Sequence, residues 1–203
     1  MTETLVERRR RLLRDEIGMI AVDLFASRGF DAVTVDDIAE AAGISGRTFF
    51  RYFRSKDLVL LRDQERRIGQ LREALASRPD DEPVLDAVRH ALLAMAADYE
   101  ADRDHAVRWA QVIARTPSIL PRFAGYAAEF MGAVTGTVAE RMGLDPSRDL
   151  RPGVVAVAMT GATHVAYEQW LLDGSRPLPE RAEEALRLVE QGTRAVVRGA
   201  GGG

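Results

Sequence analysis

Residues 34–56 read TVDDIAEAAGISGRTFFRYFRSK, and few folds accept that string. Thr34 carries the hydroxyl of an N-cap, and Asp36 and Asp37 behind it complement the positive end of a helix dipole. Val35, Ile38, Ala39 and Ala42 recur on one face of the helix so begun. Gly43 supplies a stop and Ile44 a buried hinge. Ser45 then caps a second short helix over 46–52, which Arg54 and Ser55 break. Two short helices around a glycine turn, with Ala39 or Ala42 small enough to be crossed closely, predict a helix-turn-helix. The second helix must bury Phe49 and Phe53, which leaves Gly46, Arg47, Thr48, Arg51 and Tyr52 on its outer side.

The rest of the chain also follows helical periodicity. A first amphipathic helix spans about 7–27, with Ile17, Leu24 and Phe25 on its apolar face and Gly29 placed to end it. Ser55 caps a long helix over 56–76 with Leu58, Leu61, Ile68, Leu71 and Leu75 as its stripe. Residues 77–83, SRPDDEP, have the composition of a linker. Further helices follow around Val88 and Met95, over 105–114, from Pro117 to Val138, over 152–172 and over 179–197. No strand pattern and no internal repeat is present. The expected architecture is all-α with about nine helices: a three-helix N-terminal domain over 1–55, a helical C-terminal domain over 56–198, and a disordered glycine-rich tail over 199–203.

Composition removes several classes. Without cysteine there are no disulfides and no thiolate zinc sites. The arginine-rich start at Arg8–Arg11 is no signal peptide, and the most apolar stretch, 154–166, is too short and too rich in Ala and Gly to span a bilayer. A cytoplasmic location follows as the expectation. His164 and Glu168 stand four residues apart, but a third metal ligand is not evident, so a polar wall or interface bond is the better reading. His105, after Asp102 and Asp104, reads as helix-start polarity and His90 as an ordinary half-buried residue, and no cofactor is implied.

A recognition helix of this kind enters the major groove of double-stranded DNA by its N-terminal residues. Arg47 suits a bidentate bond to guanine, while Thr34, Tyr52 and Lys56 can reach phosphates. The Arg8–Arg11 run reads equally well as an arm on the DNA backbone or as a solvated helix start. With LFASRGF before TVDDIAEAAGIS, an aromatic helix ending YF, and SK after it, the chain resembles the TetR family of one-component regulators. Carried over position by position, the resemblance implies DNA contacts by Thr34, Ser45, Gly46, Arg47, Thr48, Phe50, Tyr52 and Lys56, with Arg51 beside them. Arg47 stands where many relatives have Gly, and Phe50 where they have Tyr. Any phosphate bond of that hydroxyl is lost, and Phe50 is suited to a thymine methyl instead.

RTFFRYF, Trp109, Thr116-Pro117 and the segment Glu168-Gln169-Trp170-Leu171 are similar to the subset named for the mycofactocin system. That resemblance implies a C-terminal domain for acyl-CoA-like ligands and a homodimer through the last two helices. The residues set out for a small-molecule effector, apolar or amphipathic, are Met95, Tyr99, Trp109, Phe123, Tyr126 and Phe130, with Arg115 for an anionic head and His164 as a polar wall. Arg108 and Arg122 are alternatives for the head group. Two other readings compete. A helical enzyme would use His90, His105 or His164 with nearby carboxylates, although no nucleophile–base pair stands at a readable spacing. An architectural DNA binder without a ligand would have little need of so large a C-terminal domain.

Overall fold

The computed structural model describes residues 4–198, with side chains described as far as residue 191. Among the described residues there are nine α-helices, one 3-10 turn and no strand. The helices are α1 (Leu5–Arg28), α2 (Val35–Ala41), α3 (Gly46–Tyr52), α4 (Asp57–Ala76), α5 (Val84–Ala101), α6 (Arg103–Ala114), α7 (Leu120–Met142), α8 (Arg151–Leu172) and α9 (Leu178–Arg198), with the 3-10 turn at Pro117–Ile119. The all-α expectation holds, and no described helix is long and apolar enough to cross a membrane. The glycine tail lies outside the described residues.

The chain divides into two compact units. The first takes the described residues up to Arg66 together with Asp104–Ala124, and the second takes Arg67–Arg103 and the described residues from Gly125 onward. The first unit therefore holds α1 to α3 and most of α6, and it extends ten residues past Lys56 along α4. Its core explains the membership. Ile17, Ala21 and Phe25 recur at four-residue steps on α1 and meet Ile38 and Ala39 of α2, Phe49 of α3, Leu60 of α4 and Val112 of α6.

In the second unit Leu71 and Leu75 of α4 pack with Val88, Leu92 and Met95 of α5, Val134 and Val138 of α7, Val155 and Met159 of α8, and Leu186 of α9. Helices α8 and α9 form the most extensive pair, and α9 also lies along α5. Arg89 of α5 reinforces that contact by facing Glu183 and Glu190 of α9, each at 3.2 Å.

Residues 77–83 differ from a flexible linker. Arg141 of α7 donates to the carbonyls of Arg78, Pro79 and Glu82 at 2.9–3.1 Å. Glu82 accepts from Arg78 Nε and Nη2 at 2.6 and 2.8 Å and lies 2.7 Å from His90 Nδ1. The Arg78 guanidinium, and His90 after it, hold the Glu82 carboxyl at a pKa of about 2, down from 4.5. A depressed carboxyl contributes stability above its unfolded pKa, and that contribution disappears as pH falls from about 4.5 towards 2. The Glu82→Gln variant is thus expected to lose part of the wild type's fall in stability over that window. Urea titrations at stepped pH test this, and parallel curves for the two proteins would refute it.

Candidate nucleic-acid interface

The helix-turn-helix is set by local hydrogen bonds. Thr34 Oγ1 accepts from Asp37 N at 3.1 Å, while the Thr34 amide and hydroxyl donate to Asp37 Oδ2 at 2.7 and 2.5 Å. This closes a capping box on α2, and the Thr34 hydroxyl, with its amide, holds the Asp37 carboxyl below its usual pKa. Gly43 takes φ +64, the left-handed conformation that turns the chain from α2 toward α3 at little cost for glycine. Ser45 Oγ accepts from Thr48 N at 3.1 Å and shares a hydrogen bond with Thr48 Oγ1, so Ser45 starts α3. At Gly46 a Cβ would stand 3.1 Å from Asp36 Oδ1, so glycine lets α3 approach α2 closely.

Helix α3 has two different sides. Phe49 is fully buried and its ring lies 5.6 Å from that of Phe53, which is 2 % exposed. Phe50, the next residue after Phe49, is 56 % exposed. Arg47 and Arg51 are exposed with it, and Thr48 and Tyr52 are half-buried. Arg51 lies over the Tyr52 ring and donates to its hydroxyl at 3.3 Å, which fixes both at the end of the helix. Leu5, Val6, Arg9, Arg10 and Leu13 of α1 share with Arg51 and Tyr52 a surface groove of about 710 Å³. The arginine run of α1 and the end of α3 are thus one basic surface, with exposed Leu5 and Val6 at its edge.

Two candidates from the sequence are held by hydrogen bonds within the chain. Lys56 Nζ donates to the carbonyls of Phe30 and Val33 at 2.8 and 2.9 Å and sits 4.5 Å from the Phe30 ring centre, so it ties down the loop between α1 and α2. The Thr34 hydroxyl is engaged by Asp37. Both side chains are thus engaged within the chain, whereas Arg47, Phe50 and Arg51 are exposed on α3 with Thr48 half-buried beside them.

Beneath the interface lies a buried polar network within the first unit. Asp63 of α4 is hydrogen-bonded to His105 Nε2 of α6 at 2.5 Å, with Arg62 Nη1 at 3.5 Å and Arg66 Nε at 4.0 Å. Arg62 also pairs with Asp15 of α1. A Cβ at Gly18 would stand 2.9 Å from Arg62 Nη1, so this glycine leaves the guanidinium its room. Burial lowers the Arg62 pKa to about 10.

The expected effector residues fall in both units. Trp109 and Phe123 belong to the first, where Trp109 Nε1 donates to Leu60 O at 3.1 Å and the two rings meet edge to face at 5.5 Å. Arg115 is exposed. Arg108 is paired with Asp23 and Arg122 with Asp57, both at 2.7 Å. In the second unit Met95 is in the core, and Tyr99 and Phe130 pack against it. Tyr126 is half-buried. His164 is exposed and faces Glu168 at 3.3 Å on the outer side of α8, with Gly161 and Val165, and so does not line the core of its own unit. Arg67, which the sequence analysis does not single out, is only 4 % exposed and lies over the Tyr99 ring with its Cζ 3.3 Å from the ring centre. The available signal was spacing: Leu60, Arg67, Leu71 and Leu75 follow seven- and four-residue steps, so Arg67 occupies a position of the apolar stripe.

Comparison with known proteins agrees with this geometry. Residues 20–62 match the bacterial regulatory proteins of the tetR family, and residues 82–194 match the MftR C-terminal domain. The chain is 36 % identical over 190 residues to the mycofactocin biosynthesis transcriptional regulator MftR of Mycobacterium tuberculosis, covering 94 % of this chain and 96 % of the relative. It is 32 % identical over 174 residues to the transcriptional regulator TcmR of Streptomyces glaucescens, covering 83 % and 77 %. Among solved structures, the regulator FadR of Bacillus subtilis in complex with stearoyl-CoA superposes with a TM-score of 0.64 at 17 % identity, over 86 % of this chain and 96 % of that one.

Proposed function

Because the chain belongs to the TetR family of bacterial regulatory proteins, whose members compared above are transcriptional regulators and not enzymes, we propose that it is a repressor released from its operator by an amphipathic effector. The observation that carries the reading is the division of α3, with Phe49 in the core and Arg47, Phe50 and Arg51 facing outward. A homodimer presents two such helices to successive major-groove turns of a pseudo-palindromic site. Residues up to about 55 read the DNA, and the remainder senses and dimerises. Support for a dimer through α8 and α9 comes from Val154, Val157 and Val165, exposed at 44, 58 and 52 % along a stripe that includes Gly161, and from Leu188 on α9 at 71 %. The acyl-CoA seen in the Bacillus subtilis relative makes a long-chain acyl-CoA the first effector to try. An effector shifts the protein only through its difference in affinity between the bound and released states.

Selection of DNA from a random library is expected to return a pseudo-palindrome, with affinity falling steeply as salt rises. The Arg47→Ala variant should lose discrimination at one base pair in each half-site, by about 1–3 kcal/mol, and keep the salt dependence of its phosphate contacts. No enriched sequence at any salt concentration would sink the reading.

A further inference from the structure

Arg67 is the buried cation of the second unit that lacks a counterion. It is 4 % exposed, and among the described residues no carboxylate lies within salt-bridge reach of its guanidinium. Its neighbour is the Tyr99 ring, 3.3 Å from its Cζ. A cation–π contact offsets part of the loss of hydration, but a guanidinium held out of water normally has an anion as well.

The same neighbourhood holds two buried donors without a partner among the described residues, on Trp170 and Arg103. Tyr99 lies 4.8 Å from Tyr167, and Tyr167 5.8 Å from Trp170, ring centre to ring centre. Trp170 is fully buried, yet its Nε1 has no hydrogen-bond partner among the described residues. Arg103 lies over the Trp170 ring at 5.0 Å and donates from Nη2 to the Trp170 carbonyl at 3.3 Å, while its own Nε is buried without a partner. Gly174 makes room for this arginine, since a Cβ there would overlap the guanidinium. Two arginines and an indole N–H thus stand around a row of aromatic rings, with no carboxylate paired to either arginine among the described residues. Buried donors of native proteins are answered in most cases, so the missing acceptor is a ligand's.

We propose that Arg67 anchors an oxyanion, carboxylate or phosphate, of an effector whose apolar part lies along Tyr99 and Tyr167, while Trp170 Nε1 and Arg103, at the other end of the row, answer a second polar group of the same ligand. This deepens the effector-released repressor reading and rests on it for the name effector, but binding at Arg67 is measured without DNA. The anchor differs from the arginines that the sequence suggested: Arg108 and Arg122 already hold Asp23 and Asp57, and Arg115 is exposed.

Calorimetric titration of the full chain with laurate, lauroyl-CoA, inorganic phosphate and 1-dodecanol tests this. The wild type is expected to bind laurate or lauroyl-CoA more tightly than the neutral alcohol, and the stronger of the two identifies carboxylate or CoA phosphate as the anion. Arg67→Met should weaken that ligand roughly 10- to 100-fold and leave dodecanol unchanged. Arg67→Lys should recover part of the loss, and Trp170→Phe, which keeps an aromatic ring but removes the N–H, should weaken lauroyl-CoA, the ligand with further polar groups, more than laurate. A ligand role also predicts that Arg67→Met keeps or raises the melting temperature of the free protein, because an unpaired buried charge is removed. Equal binding of the anion by wild type and Arg67→Met overturns the proposal, and so does a wild type that prefers dodecanol or binds none of the anions. Arg67-dependent binding with no release of operator DNA would leave the anchor standing and defeat only the repressor mechanism.

Discussion

Replacing Asp63 by alanine is expected to destabilise the first unit by about 3–5 kcal/mol, the range found when one member of a buried charge pair is removed. Asp63 is 4 % exposed and its carboxylate is shared by His105 at 2.5 Å, Arg62 at 3.5 Å and Arg66 at 4.0 Å. Alanine would leave the buried Arg62 with Asp15 alone and take the partner from a His105 that is itself 4 % exposed. Asp63→Asn keeps an acceptor of the same shape and should cost less. The consequence reaches function because the network joins three helices of the unit that carries the recognition helix: α1 through Asp15, α4 through Arg62 and Asp63, and α6 through His105. Urea unfolding followed by circular dichroism measures the loss, and operator affinity measured in parallel should fall with it. An Asp63→Ala protein within about 1 kcal/mol of the wild type would show that the network is dispensable.

The order of legibility along the chain has a physical cause. Capping boxes, glycine stops and four-residue apolar steps act within a few residues, so α1, α2 and α3 could be read from Thr34, Gly43, Ser45 and the Phe49/Phe53 pair, with the structure starting α3 at Gly46. Lys56 has bonds that position-by-position reading does not show. Its place after the recognition helix suggests a phosphate contact, but its ammonium is captured by two carbonyls more than twenty residues earlier. Nothing local announces a bond of that span. The burial of Arg67, His105 and Asp63 escapes a local reading for a related reason. Charged residues on a helix are solvated by default, and only packing decides which of them are enclosed. The segment 77–83 looks like a linker for the same cause, since its partner Arg141 is about sixty residues away in the chain. Pro and Asp there describe the turn correctly and say nothing of what holds it.

Adjacent phenylalanines on α3 allow the sharpest test, because they divide folding from reading at a single step of the chain. Phe49 has no exposed surface, lies 5.6 Å from the Phe53 ring and sits among Phe25, Ile38 and Leu60, so Phe49→Ala should open a cavity and cost about 3–5 kcal/mol of stability. Phe50 is 56 % exposed, and Phe50→Ala should change stability by no more than about 0.5 kcal/mol. For operator binding at a temperature where both variants are folded, the order reverses. Phe50→Ala should lose roughly 1 kcal/mol per half-site, the low end for a base-pair contact, whereas folded Phe49→Ala should keep the outward side chains it needs. The loss for Phe50→Ala should also depend on sequence, disappearing on sites from which the contacted thymine methyl has been removed by a uracil replacement. Melting curves and operator titrations of the two variants separate these effects. A Phe50→Ala variant with full affinity for every site would mean that the outward face of α3 reads DNA through Arg47 and its polar neighbours alone. A Phe49→Ala variant as stable as the wild type would contradict the packing that makes α3 a recognition helix at all.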